Sequence, residues 1–74
     1  MVLSELKIGE LAKVVKISNV NSVKDRLTAM GLTEGVKITL VRLAPFSDPI
    51  EIKLRGFYMA IRKVDADKIY VEKL

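Results

Sequence analysis

The sequence predicts a mainly β fold: a small barrel of about five strands, with one short helix (about residues 22–30) inserted after the first strand. Three observations carry this expectation. Short runs alternate apolar and polar residues, as half-buried strands do. One segment alone keeps helical spacing. Glycine, proline and aspartate punctuate the intervals between them. The 74 residues make one domain, residues 1–74. A domain of this size buries about 60–65% of the surface of its unfolded chain, so strands closed around a shared core are an economical solution.

The elements follow in order. Leu3, Leu6 and Leu11, interspersed with Glu5, Lys7 and Glu10, form a lead-in with a turn at Gly9. Leu11 to Ser18, rich in valine and isoleucine, suits the first strand. Val23, Leu27 and Met30 then fall at i, i+4 and i+7, one face of a helix. Asn21 or Ser22 is the expected cap, and Asp25 sits in the first turn, where the helix dipole favours an anion.

Two glycines follow. Gly31 fits the left-handed residue that stops a helix, with Leu32 folding back on Leu27. Gly35 fits the third position of a type II turn, Thr33-Glu34-Gly35-Val36. A phosphate loop would need its glycines before a helix, with free N–H groups facing the ligand, and these come after one.

Val36, Ile38 and Leu40 share one face of the next strand. Ala44 to Pro49 (APFSDP) reads as a loop, with Asp48 a turn-former ahead of Pro49. Ile50, Ile52 and Leu54 alternate with Glu51, Lys53 and Arg55 in the cleanest strand. Arg55-Gly56 is a tight hairpin turn, and Phe57, Met59 and Ile61 line the returning strand, with Phe57 expected in the core. Asp65-Ala66-Asp67 reads as a short turn. Ile69 and Val71 mark the last strand.

Composition limits the chemistry. There is no cysteine and no histidine, so a disulfide framework, a thiolate metal site and an imidazole base are absent. No nucleophile is assembled with a base, and no catalytic residue, bound cofactor or metal site is expected. Asp65 and Asp67 lie two apart, too few for the roughly six oxygen ligands of a hard cation. No apolar run approaches the roughly 18–20 residues that span a bilayer, and Ser4, Glu5 and Lys7 break the N-terminal stretch. A cytoplasmic protein without direct membrane insertion is the expectation. The net charge of +4 permits contact with nucleic acid. Four aromatic residues, with Phe57 assigned to the core, offer few stacking platforms, so nucleic acid is not an expected partner.

In their order and spacing, LKIGELAKVVKI, RL ahead of MGLTEG, APFSDPI, LRGFYMAIR and DADKIYV resemble the FeoA domain of bacterial ferrous iron transport over nearly the whole chain. Glu34 stands where that family often has proline. The resemblance implies an SH3-like barrel in the cytoplasm. It also implies a non-enzymatic accessory or regulatory role, docking on the GTP-binding cytoplasmic G domain of a FeoB-type transporter. A nucleic-acid-binding barrel is the alternative. A further one is an interaction module related to the C-terminal domain of iron-dependent repressors, which would need DNA-binding and metal-binding domains upstream of Met1.

The apolar surplus suggests where a partner would bind. Leu43, Pro45 and Phe46 fall in or beside a loop, and Met30 and Leu32 lie at the helix stop. Together they form the candidate partner surface, also compatible with self-association. Lys53, Arg55 and Arg62 form a secondary basic surface, extended by Arg42 and Lys63. Arg26 is expected to cover apolar surface and bind backbone carbonyls. Gly31, Gly35 and Gly56 have structural roles in turns.

Overall fold

A computed structural model describes residues 1–19 and 22–74. Five strands, β1 (Leu11–Ile17), β2 (Lys37–Leu43), β3 (Ile50–Leu54), β4 (Phe57–Ile61) and β5 (Ile69–Lys73), form one antiparallel sheet in the order β4-β3-β2-β1-β5. Helix α1 (Val23–Ala29) follows β1, and a single-turn helix α2 (Lys63–Ala66) joins β4 to β5. Short 3-10 turns occupy Leu3–Glu5 and Pro45–Ser47. The molecule measures 26 × 24 × 23 Å. Such equal dimensions mean that the sheet coils around its core instead of lying flat.

Two bulges explain how strands with broken alternation still serve one core. In β1 the pairing with β5 shifts between Val14 and Lys16, leaving Val15 as the extra residue. Ala12, Val14 and Ile17 therefore all point inward although their spacing is uneven. In β2 the pairing with β3 shifts between Leu40 and Arg42, around Val41. Ile38 and Leu40 stay inside while Arg42 and Leu43 turn outward.

The stop of α1 is a complete Schellman motif. Gly31 N–H donates to Thr28 C=O and Leu32 N–H donates to Leu27 C=O, both at 3.0 Å. Gly31 takes φ +101°, a left-handed value. Leu32 and Leu27 are both buried, closing the apolar contact of that motif. Next, Val36 N–H donates to Thr33 C=O at 3.2 Å and Gly35 sits at φ +90°, completing the type II turn. Gly35 N–H also donates to Val14 C=O, and Val14 N–H to Val36 C=O. The turn is thus stitched to β1 at its bulge. Arg55 and Gly56, both at positive φ, make the β3–β4 hairpin.

Four expectations are corrected. Ser22 caps α1 with no side-chain hydrogen bond, because it stands in the left-handed region at φ 61° and its hydroxyl cannot reach the first turn; Asn21 lies outside the described residues. Phe57 is 42% exposed and not in the core. The strand's inward phase is held by Met59 and Ile61, and the terminal ring instead lies over Gly31, where an added Cβ would stand 3.5 Å from its Cζ. Asp65 and Ala66 belong to α2 instead of a simple turn. Leu32 is fully buried.

Candidate functional site

The core is entirely aliphatic apart from Met59, and among the described residues no polar or charged residue is buried. All four aromatic side chains are surface-exposed: Phe46, Phe57, Tyr58 and Tyr70. In most small domains large aromatic rings do much of the burial. Here they are available for contact.

Phe46 is the most conspicuous. Its side chain is 99% exposed, on the 3-10 turn Pro45–Ser47 between β2 and β3. Its backbone stands at φ 64°, ψ 19°, and Ser47 follows at φ 61°. A bulky non-glycine residue pays about 1–2 kcal/mol for that conformation. The turn is tied at its base by Ala44 N–H to Pro49 C=O and Ser47 N–H to Ala44 C=O. A strained backbone that presents an unburied aromatic ring gains nothing for the fold, a pattern associated with functional loops.

Of the proposed partner residues, Met30, Leu43, Pro45 and Phe46 are exposed, whereas Leu32 is withdrawn into the core. Leu43, Pro45 and Phe46 do not line the groove to which Met30 contributes. That open groove, of about 510 Å³, is lined by Met30 with Arg26, Leu27, Ala60, Ile61, Arg62, Val64 and Asp65. Val64, missed in the sequence, is exposed beside Met30 because α2 turns it outward.

Among the described residues Arg26 binds no backbone carbonyl. Its Nη2 donates to Asp65 Oδ2 at 2.8 Å and clips α1 to α2. Asp48 accepts the N–H of Lys63 at 3.0 Å, tying the β2–β3 loop to the start of α2. Asp67 accepts the hydroxyl of Ser4. These aspartates are structural fasteners, and among the described residues no group of three acidic side chains could hold a metal.

The basic surface is divided. Arg42 is paired with Glu51 at 3.0 Å. Lys53 faces Tyr58 across the strands, its Nζ 5.8 Å from the ring centroid, a cation–π contact. Arg55, Arg62 and Lys63 are exposed, and none takes part in an ion pair among the described residues. Glu10 accepts from Lys73 Nζ at 2.7 Å and from Lys7 N–H at 2.7 Å. The hydrogen bond from Lys73, then that from Lys7, holds its carboxyl below the usual glutamate value.

A five-stranded coiled antiparallel sheet around an aliphatic core defines a small β barrel. The model of the FeoA domain matches residues 1–73, and the chain belongs to that family. A curated relative, the Fe(2+) transport protein A/Fe(2+) transporter FeoB fusion protein of Porphyromonas gingivalis, is 36% identical over 72 residues. That match covers 97% of this chain, which spans only 8% of the length of the fusion protein. The solution structure of FeoA from Chlorobium tepidum superposes with a TM-score of 0.91 at 39% identity, covering all of this chain and 70% of that one. The zinc complex of Stenotrophomonas maltophilia FeoA, described as a prokaryotic SH3 domain protein, matches at TM-score 0.82 and 24% identity over 97% of this chain and 89% of that one. The fold is thus an SH3-like barrel.

Proposed function

We propose that the chain is a non-enzymatic accessory protein of bacterial ferrous iron uptake that docks on the cytoplasmic G domain of a FeoB-type transporter and modulates it. The observation that carries this reading is the fusion relative, in which a matching segment is joined to the transporter in one polypeptide. Covalent linkage holds two modules at an effective concentration on the order of millimolar, an arrangement suited to domains that work in contact. The absence of histidine and cysteine is consistent with a binding role. The loop that presents Phe46, tied at its base by two backbone hydrogen bonds, offers an exposed aromatic side chain as an anchor.

The test is calorimetry of the purified chain against an isolated FeoB-type G domain, in the presence of GTP or GDP. Saturable binding is expected, weakened at least tenfold by Phe46→Ala, or about 1.4 kcal/mol. If neither nucleotide state binds the chain, and its addition leaves the rate of GTP hydrolysis unchanged, the reading fails.

A further inference from the structure

The two edges of the sheet are treated differently. The outer edge of β5 is covered: Val71 N–H donates to Met1 C=O at 2.8 Å and Val2 bridges Tyr70. Among the described residues the outer edge of β4 has no such cover. Leu54 and Phe57 flank the two-residue turn and pair with each other. In such a hairpin the flanking pair exchanges both backbone hydrogen bonds, and bonded pairs then alternate along the ladder. Phe57, Met59 and Ile61 therefore direct N–H and C=O toward β3, and Tyr58 and Ala60 direct theirs away. Neither Tyr58 nor Ala60 has another hydrogen-bond partner among the described residues.

Natural edge strands usually carry a charge, a proline or a bulge that blocks further pairing. β4 reads Phe-Tyr-Met-Ala-Ile, with none of these. The groove of about 510 Å³ lies against the same strand, since Ala60 and Ile61 line it together with Leu27, Met30 and Val64 and with the charged side chains of Arg26, Arg62 and Asp65. A free backbone edge beside a groove of mixed apolar and charged lining is an arrangement suited to strand addition, where main-chain bonds give affinity and alternate side chains enter the groove.

Charge selects the occupant. Arg55 precedes β4, Arg62 and Lys63 follow it, and none of the three is ion-paired among the described residues. A second copy in the antiparallel register of fullest overlap, centred on Met59, would set Arg55 against Lys63 at both ends, and like charges opposed across strands repel. We infer that the β4 edge binds an extended partner segment as a sixth strand: a short alternating apolar stretch flanked by acidic residues. This surface involves none of the Phe46 loop, and the inference stands whether or not a transporter supplies the segment.

The probe is the peptide acetyl-Glu-Asp-Val-Thr-Val-Thr-Val-Asp-Glu-amide, titrated into the intact chain and followed by amide NMR. Saturable binding is expected, with hydrogen exchange of Tyr58 and Ala60 N–H slowed at least tenfold while Met59, already bonded to β3, changes little. N-methylation of the peptide at alternate amides should abolish binding in one phase and leave it in the other, with the protein untouched. Lysine in place of the peptide's acidic residues should weaken binding at least tenfold, and the Arg55→Glu, Arg62→Glu double variant should reverse that preference. Absence of saturable binding at millimolar peptide, binding without added protection of Tyr58 and Ala60, or equal tolerance of both N-methylated phases would overturn strand addition. A dimer in sedimentation that the peptide disperses would make a second copy the occupant and overturn the assignment of an acidic partner.

Discussion

At Gly31 a left-handed φ of +101° comes without a clash: an added Cβ would meet Phe57 Cζ at 3.5 Å, ordinary contact. Backbone strain, not crowding, therefore sets the penalty, and Gly31→Ala should destabilise the fold by about 1–2 kcal/mol in a denaturant melt. Phe46 presents the reverse case. It holds a similar conformation with a bulky side chain in solvent. Phe46→Gly relieves the strain while loosening the unfolded chain, so stability should stay level or rise by up to about 1 kcal/mol, even as partner binding is lost. A melt in which Phe46→Gly loses more than that would show the ring to be structural. Phe57→Ala, which the alternation of the sequence would place among core truncations, should cost well under the roughly 3–5 kcal/mol of a buried phenylalanine. Ile52→Ala, fully buried on the neighbouring strand, should cost about 2–5 kcal/mol and is the proper reference for core damage.

Turns and strands were legible wherever local chemistry alone decides them. The Schellman stop at Gly31, the type II turn at Gly35 and the Arg55-Gly56 hairpin each depend on a few adjacent residues, and each stands where the sequence places it. α2 was not legible, because a single helical turn shows no periodicity; Asp48 and Arg26, distant in sequence, help fix it. The bulges at Val15 and Val41 depend on partner strands and leave no local mark. Of the residues expected at the surface, Phe46 is exposed, but Leu32 is buried because exposure at a helix stop is set by how the chain folds back. Glu34 gives the second turn its own test. It pairs with Lys24 at 3.7 Å across exposed surface, a contact worth about 0–1 kcal/mol. Its N–H takes part in no backbone bond among those described. Glu34→Pro should therefore stabilise the chain by up to about 1 kcal/mol, read as a shift in the denaturation midpoint. No shift, or a loss, would mean that the ion pair outweighs the stiffer turn.

Over the whole molecule, the sheet is fastened to the lead-in segment by Glu10, which takes hydrogen bonds from Lys73 on β5 and from Lys7. Its folded-state value lies below the ordinary 4.5. The stability it contributes is thus complete above that value and is lost as pH falls through the lower, folded one. Glu10→Gln should flatten the acid limb of a stability–pH curve below pH 4.5 and leave its slope near neutrality unchanged. The aliphatic core has an optical consequence. The chain has no tryptophan, and its two tyrosines, Tyr58 and Tyr70, are exposed in the folded state. Neither ring is withdrawn into the core, so unfolding is better followed by dichroism than by burial-dependent emission. Tyr58 lies on the β4 edge, so a change in tyrosine emission on adding a peptide without aromatic residues signals an arriving partner, with no label attached.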